Sequence, residues 1–261
     1  MKTVIYAFSG TGNSLHAAQL LSAALGGETR HIPAELKAGR FSCEAETVGF
    51  VFPVYCWAAP GIVETFIAGL EFSGSPYIFA VATYAGSKGY ALGHVQAALN
   101  PKGAKLAAGF GLKMPSNYLP FPQVKPAEEC AGLLKKADSE LLEIAEKVKI
   151  RHTAPVARGF FLPELLLPLL RKFVVHKSGR WDTSFHLNSG CNGCGTCVKV
   201  CPAGNIELSG GRPRWRHRCL GCLACANYCP QKAIMMNGFS KKNRYHHPAI
   251  SAADIESQKI R

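Results

Sequence analysis

Residues 191–202 read CNGCGTCVKVCP, and residues 219–230 read CLGCLACANYCP. Each segment has the pattern C-x-x-C-x-x-C-x-x-x-C-P, and the second copy begins 28 residues after the first. The similarity continues past the proline, because Ile206 and Ile234 occupy the same offset in CPAGNI and CPQKAI. Eight of the 11 cysteines of this 261-residue chain belong to the repeat, so the fold of this region depends on what those thiols bind.

Three kinds of site use cysteines at such spacings: zinc sites, disulfide frameworks and iron–sulfur clusters. Neither of the first two accounts for a fourth cysteine followed by proline in both copies, whereas the ligand run of a bacterial-type ferredoxin has both features. Small residues in the turns, Gly193 and Gly195 in one copy and Gly221 and Ala224 in the other, allow the backbone to approach a cluster closely. The repeat therefore predicts two 4Fe–4S clusters, with loss or zinc replacement of one cluster as the alternative.

The resemblance to bacterial-type ferredoxins also implies how the thiols are shared. Three ligands of each cluster come from one copy of the repeat, and the fourth comes from the other copy. The implied first ligand set is Cys191, Cys194, Cys197 and Cys229. The implied second ligand set is Cys219, Cys222, Cys225 and Cys201. Of the three remaining cysteines, Cys43 and Cys130 are expected to be small buried apolar side chains.

The other end of the chain has a second informative segment. The apolar run Lys2–Phe8 is followed by the loop Ser9-Gly10-Thr11-Gly12-Asn13-Ser14, and then by a helix predicted over Leu15–Leu25. A loop rich in glycine and hydroxyl groups before a helix N-terminus can bind a phosphate through backbone N–H groups and the helix dipole. The loop has no lysine and is not G-x-G-x-x-G, so it predicts a single terminal phosphomonoester rather than a nucleoside triphosphate or a dinucleotide.

Strand and helix patterns alternate through the rest of this half. Strands are predicted over 29–32, 47–54, 77–83 and 105–113, and helices over 61–68, 90–99 and 127–150. Five strands with helical crossovers predict an α/β fold with a doubly wound parallel sheet.

Two further loops follow strands of this sheet, and ligands of such sheets bind at the carboxyl ends of the strands. In Pro53–Pro60, Tyr55 and Trp57 offer flat faces for a planar ring, although they could also only pack between loops. Thr83–Gly89 would line the polar edge of the same ring. Asn117 also follows a strand, and it either closes this pocket or forms a simple turn.

Residues 1–150 resemble the flavodoxin family, and residues 185–240 resemble ferredoxins. The combination in this order is similar to the flavodoxin–ferredoxin fusion group called the EFR1 family. The resemblance implies a five-stranded flavodoxin-like domain that binds FMN, followed by a small α+β ferredoxin-like domain with two 4Fe–4S clusters. The implied FMN contacts are Ser9, Gly10, Thr11, Gly12, Asn13, Ser14, Pro53, Tyr55, Trp57, Thr83, Tyr84, Ala85, Gly86 and Gly89.

Two segments match neither family. Residues 151–184 form an apolar connecting segment whose prolines and charges make it a poor membrane span, so it is expected to pack the domains together, with shallow membrane or partner contact as the alternative. Residues 241–261 form a basic tail, in which His246 and His247 are expected to be solvated.

The formal net charge is +13, and it is uneven. Residues 1–150 carry 13 Lys and Arg against 12 Asp and Glu, whereas residues 180–261 carry 12 against 4. Arg212, Arg214, Arg216 and Arg218 alternate, so a strand there would put all four on one face. They either offset the negative charge of the clusters or form a docking face for an acidic redox partner, and no motif indicates nucleic-acid binding.

These features favour an electron-transfer function, because a cluster moves one electron at a time and a flavin exchanges one or two. A carrier between protein partners is the leading hypothesis. A flavin-dependent reductase of a small substrate and a redox- or oxygen-sensing protein are the alternatives, and no catalytic acid, base or nucleophile is evident. The absence of a signal peptide and the need for reduced thiols predict a cytoplasmic protein of anaerobic metabolism.

Overall fold

The computed structural model describes residues 2–119, 124–155, 178–236 and 244–259. Most of the apolar connecting segment, including residues 160–175, lies outside these ranges, so its proposed roles stay predictions. Within the described ranges, no helix has both the length and the apolar character needed to cross a bilayer.

Parallel strands and helices alternate through the first 150 residues. The strands are β1 (Thr3–Ala7), β2 (Glu28–His31), β3 (Ser42–Cys43), β4 (Thr47–Pro53), β5 (Glu71–Phe72), β6 (Tyr77–Tyr84) and β7 (Leu106–Lys113). The helices are α1 (Asn13–Leu25), α2 (Ile32–Ala38), α3 (Gly61–Gly69), α4 (Ala91–Leu99) and α5 (Ala127–Lys149).

The main sheet has the order β2-β1-β4-β6-β7, and every neighbouring pair is parallel. Counted along the chain, its five strands have the order 2-1-3-4-5, which is that of flavodoxin-like doubly wound sheets. The predicted fold class is therefore confirmed. β3 and β5 form a separate two-stranded pair beside this sheet.

Helices cover both faces of the sheet, which explains why its strands read as nearly continuous apolar runs. On one face, α1 and α5 pack against the sheet through residues such as Leu21 and Leu141. On the other face, α3 and α4 pack through Phe66 and Val95. The switch point between β1 and β4 leaves the loops after these strands free to form a binding crevice.

The cysteine-rich region is a small α+β fold built as two similar halves. β8 (Phe185–Leu187) pairs antiparallel with β11 (Ile234–Met236), and β9 (Ile206–Ser209) pairs with β10 (Arg212–Trp215). Two one-turn helices, α6 (Thr196–Lys199) and α7 (Ala224–Asn227), each follow the second cysteine of their copy. The β9–β10 turn places Gly210 and Gly211 at φ 57° and 74°, a backbone that glycine adopts without strain.

The two regions share one apolar core. Val200, Cys222 and Tyr228 belong to the same buried cluster as the α3 and α4 face of the sheet. Ile250 and Ile255, the latter in α8 (Ala252–Glu256), extend the same cluster.

The expectation of a solvated His246-His247 pair is wrong for His247. Only 3% of the surface of His247 is exposed, and its ring stacks on His16 with centroids 4.1 Å apart. His246 is exposed at the surface, and its ring stacks on Tyr228. The tail packs against the rest of the protein because apolar residues such as Ile250 and Ile255 join the core. The polar composition of the tail does not predict this contact.

Candidate functional site

A cavity of about 680 Å³ lies at the carboxyl ends of β1, β4 and β6. Four loops surround it: residues 9–14, 53–62, 83–87 and 114–118. The cysteine-rich region forms one wall of it, because Arg218, Cys219, Leu220, Gly221, Cys222 and Leu223 also line it. The loops that the sequence assigned to a phosphate and a planar ring therefore meet one another and the second cysteine set at a single site.

The phosphate loop has a conformation that exposes backbone donors. Gly12 caps α1 at φ 100°, where a residue with a Cβ would be strained. The Ser9 Oγ accepts a hydrogen bond from the Gly12 N–H at 3.1 Å, which turns the loop back on itself. Across the described residues, no protein group accepts from the N–H groups of Gly10, Thr11, Asn13 and Ser14. These free donors at a helix N-terminus fit an anionic phosphate.

Side chains from other loops hold the hydroxyl groups of the phosphate loop. Ser14 and Thr83 share a hydrogen bond between Oγ and Oγ1 at 2.8 Å. Asn117 donates from Nδ2 to Thr11 Oγ1 at 2.6 Å, so Asn117 lies at the site rather than in an independent turn.

The loop after β4 exposes one aromatic ring and turns the other inward. Tyr55 and Ala58 exchange backbone hydrogen bonds of 2.9 and 3.0 Å, and the two residues between them, Cys56 and Trp57, have φ of 48° and 62°. This tight turn leaves Trp57 54% exposed beside the cavity, which suits stacking on a planar ring. The side chain of Tyr55 turns inward and packs edge-on against Phe8.

The Tyr55 hydroxyl lies between the sheet and the second cysteine set. It is buried, and no partner for it exists in the described part of the chain. Burial raises the pKa of Tyr55 well above its usual value, and the nearby Cys222 and Cys219 raise it further. Tyr55 therefore lies between its own loop, residues 53–60, and the loop that contains Cys219 and Cys222.

Two of the predicted FMN contacts do not line the cavity. Gly12 faces away from it, toward His247 and Ile250, and Gly89 packs against the backbone of Trp57. A Cβ on Gly89 would lie 2.5 Å from the Trp57 carbonyl oxygen, so Gly89 permits close approach of the loops 53–60 and 83–89. The other predicted contacts line the cavity: Ser9, Gly10, Thr11, Asn13, Ser14, Pro53, Tyr55, Trp57, Thr83, Tyr84, Ala85 and Gly86.

Trp181 and Arg218 also line the cavity, although no sequence pattern assigned them to it. Neither belongs to a loop of the parallel sheet, and no local pattern distinguishes them. They reach the cavity only because the cysteine-rich region packs over the sheet edge.

The cysteines form two groups that draw on both copies of the repeat. Cys191, Cys194, Cys197 and Cys229 line one small cavity. Cys201 belongs to the other group, because, in addition to burial, its proximity raises the pKa of Cys219, Cys222 and Cys225. The fourth cysteine of each copy thus lies with the first three cysteines of the other copy.

The two halves share backbone details that suit sulfur ligands. Asn205 N–H donates to Cys201 Sγ, and Ala233 N–H donates to Cys229 Sγ, each at 3.3 Å. Gly193 and Gly221 occupy equivalent turns with φ of 71° and 68°. Donors of this kind stabilise thiolates that are bound to iron.

Burial opposes ionisation of the free thiols. It raises the pKa of Cys197 and of Cys219 to about 11, and it raises the pKa of Cys222 further. Thiolates buried in this way need a cationic partner, which cluster iron would supply. Within the described ranges, no three His, Cys, Asp or Glu side chains converge as ligands of a single metal ion. Cys43 and Cys130 are buried, as expected, whereas Cys56 is exposed.

One comparison with known proteins concerns the cysteine-rich region. Residues 190–234 match the family described as a 4Fe-4S dicluster domain. No curated protein matches the chain.

Solved structures resemble the first half of the chain. A flavodoxin from the domain Archaea is 17% identical and covers 57% of this chain and 99% of its own, with a TM-score of 0.36. The FMN-dependent NADH-azoreductase from Bacillus anthracis, solved in complex with FMN, is 10% identical over 57% of this chain and 99% of its own, with a TM-score of 0.38. Rubredoxin oxygen:oxidoreductase from the anaerobe Desulfovibrio gigas is 17% identical over 57% of this chain and 36% of its own, with a TM-score of 0.35. At such low TM-scores the fold assignment depends on the sheet order itself.

Proposed function

We propose that this chain is an iron–sulfur flavoprotein that transfers electrons between two 4Fe–4S clusters and FMN, and from there to a protein redox partner. One observation carries the proposal: Cys219 and Cys222 line the same cavity as the phosphate loop and Trp57. When bound, the clusters exchange single electrons and FMN exchanges one or two. Because the two sites share a cavity, FMN and the cluster held by Cys219 and Cys222 would lie a short distance apart.

The residues of the cavity fit the parts of FMN. The free N–H groups of Gly10, Thr11, Asn13 and Ser14 would hold the phosphate. Trp57 would stack on the ring, and Tyr84 to Gly86 would line its polar edge. No lysine or arginine of the phosphate loop is needed, because backbone donors and the α1 dipole supply the positive potential.

The two cysteine sets would continue the electron path away from the flavin. Cys225 of the second set interacts electrostatically with Cys197 of the first set, so the two sets adjoin. In the first set, Cys194 is exposed. The resulting order is flavin, second cluster, first cluster and protein surface.

We propose an acidic surface on the redox partner because of the β9–β10 hairpin. Leu208 and Pro213 of this hairpin line the cavity of the first cysteine set, while Arg212 and Arg214 are exposed. The strand ends at Trp215, so only Arg212 and Arg214 of the four arginines share one face of it, rather than all four as expected. Arg216 lies beyond the strand and pairs with Glu207. Arg212 and Arg214, on the hairpin beside the first cysteine set, would attract and orient an acidic protein.

The test is an anaerobic reductive titration of the reconstituted protein followed by visible absorption. Two clusters and one FMN should take up about four electrons per chain, with flavin and cluster bands both bleaching. Uptake of about two electrons, with only the flavin band changing, would overturn the proposal.

The open cavity also favours a second function, reduction of a small substrate at the flavin. Its volume of about 680 Å³ is within the range of small-molecule sites, and Trp57 at its edge is 54% exposed. A saturable reduction of a quinone by the reduced protein would support it, if the rate is unchanged in the double variant Arg212→Gln and Arg214→Gln. A rate that depends only on an added acidic redox protein would support the carrier function.

A further inference from the structure

Residues 244–259, here called the return segment, come back from the cysteine-rich region to the phosphate loop. Gln258 is fully buried there, with 0% exposure. The Ser9 N–H donates to Gln258 Oε1 at 3.0 Å, and Gln258 Nε2 donates to the Ser9 carbonyl oxygen at 3.0 Å. One side-chain amide thus satisfies both backbone groups at the first residue of the loop.

Further contacts follow the loop residue by residue. The His247 N–H donates to the Thr11 carbonyl oxygen at 2.8 Å. The Tyr245 hydroxyl donates to Asn13 Oδ1 at 2.8 Å, in a buried bond. The return segment therefore satisfies polar groups of the loop at Thr11 and Asn13 as well as at Ser9.

The return segment also packs tightly against Gly12 of the loop. A Cβ on Gly12 would lie 2.8 Å from Ile250 Cβ and 2.9 Å from His247 Cβ. Any residue other than glycine at position 12 would displace the return segment as well as strain the backbone.

The same segment is attached to the cysteine-rich region. The Tyr245 N–H donates to Asn227 Oδ1 at 3.0 Å, and the Tyr228 hydroxyl donates to the Ile250 carbonyl oxygen at 3.0 Å. Asn227 and Tyr228 directly precede Cys229. Lys259 Nζ donates to the carbonyl oxygen of Val198, the residue after Cys197.

We infer that the return segment is a positioning element that holds the phosphate loop in its anion-binding conformation, with Gln258 as its principal residue. This inference rests on the proposed binding of FMN. The segment satisfies other polar groups of the loop, so the N–H groups of Gly10, Thr11, Asn13 and Ser14 are left available for the ligand. A loop that is already ordered loses less entropy when the phosphate binds.

The experiment compares FMN with riboflavin, which has the same ring and no phosphate. Both dissociation constants are measured by quenching of flavin fluorescence, on the full chain with its clusters, for the wild type and Gln258→Leu. Leucine has a similar size and removes both hydrogen bonds to Ser9. The matched control is Gln19→Leu, because Gln19 is an exposed residue of α1, the helix that follows the loop.

Gln258→Leu should weaken FMN binding about tenfold or more, which corresponds to loss of at least one net hydrogen bond, and change riboflavin binding less than about twofold. Gln19→Leu should change neither. Unchanged FMN affinity in Gln258→Leu, or equal weakening of both flavins, would overturn the inference.

A milder variant covers the case in which Gln258→Leu does not fold. Tyr245→Phe removes only the hydroxyl group that reaches Asn13, and it should also weaken FMN more than riboflavin; equal effects on the two would count against the inference. If the wild-type chain binds riboflavin and FMN equally or binds neither, the proposed flavin site itself fails, and this outcome is visible before any variant is made.

Discussion

Gly10 of the phosphate loop lies directly against the backbone of Cys222: a Cβ at position 10 would be 2.3 Å from the Cys222 carbonyl oxygen. The neighbour is backbone, which cannot rotate away as a side chain could. This contact brings the phosphate loop and the second cysteine set together, and it requires glycine for its small size.

Gly10→Ala should therefore separate the two loops. We expect the free energy of unfolding to fall by roughly 1–3 kcal/mol, as for overpacked cores, and electron transfer from cluster to flavin to slow. Thermal unfolding and rapid-mixing absorption of the reconstituted protein measure the two effects. Gly132→Ala is the control, because a Cβ there meets nothing within 4 Å and alanine favours the α5 helix. Wild-type stability and rate in Gly10→Ala would show that the loops can move apart at no cost.

The crossed arrangement of the cysteines predicts which cluster each fourth cysteine holds. Cys229 lines the cavity of Cys191, Cys194 and Cys197, although it is adjacent in sequence to the second group. Cys229→Ala should remove the first cluster and lower the iron content from about eight to about four atoms per chain.

The surviving cluster distinguishes crossed from uncrossed ligands. With crossed ligands, the cluster that remains in Cys229→Ala should also remain in Cys191→Ala, and the two variants should have the same electron paramagnetic resonance spectrum when reduced. A spectrum of Cys229→Ala that instead matches Cys219→Ala would contradict the crossed assignment.

Two buried tyrosine hydroxyl groups should respond in opposite ways to replacement by phenylalanine. The Tyr55 hydroxyl has no partner in the described part of the chain, whereas that of Tyr228 donates to the Ile250 carbonyl oxygen. In protein that holds clusters but no FMN, Tyr55→Phe should leave the free energy of unfolding unchanged or raise it by about 1 kcal/mol. Tyr228→Phe should lower it by about 1–2 kcal/mol. Chemical denaturation measures both. Destabilisation by Tyr55→Phe would reveal a partner for that hydroxyl group.

Burial of His247 predicts a loss of stability in mild acid. The pKa of His247 is lowered to about 4, chiefly by burial and also by the nearby His16 and His246, with Asp138 partly opposing them. Because the unfolded chain holds a proton on this histidine at higher pH than the folded chain does, stability is present above about pH 6.5 and falls as the pH drops toward 4.

This linkage should cost about 1 kcal/mol between pH 7.5 and 5.5, a range chosen to limit acid damage to the clusters. Unfolding in urea at several pH values measures the slope. His247→Gln should flatten it, and His186→Gln, at an exposed position, should keep the wild-type slope. An unchanged slope in His247→Gln would assign the pH dependence to other groups.

Local patterns were sufficient for the five strands of the main sheet, four of its helices and the cysteine repeat, whereas α2, β3 and β5 were not predicted. The apolar run before Ser9 and the glycines after it predict a strand, a loop and a helix, since each depends on neighbouring residues. The repeat of four cysteines and a proline likewise predicts equivalent turns, and the structure shows them at Gly193 and Gly221. Strand bounds differ by only a residue or two, as for β6, which ends at Tyr84 rather than Thr83.

Contacts between distant segments were not predictable in the same way. The polar composition of the tail indicated solvated chain, yet Gln258 is buried against Ser9, which is 249 residues away in sequence. The inward direction of the Tyr55 side chain is another case. It depends on the turn at Cys56 and Trp57, which both have positive φ, and on the nearby loop that contains Cys219 and Cys222.

The sequence by itself determined the five strands of the doubly wound sheet, four of its helices and the two cysteine runs, because these depend on periodicity, turn chemistry and spacing along the chain. Only the tertiary structure decided that residues 218–223 line the cavity beside the sheet and that Gln258 forms hydrogen bonds with Ser9. The physical reason is that burial of a shared apolar core, which includes Val200, Tyr228 and Ile255, brings these segments together, and no local pattern records which surfaces will meet.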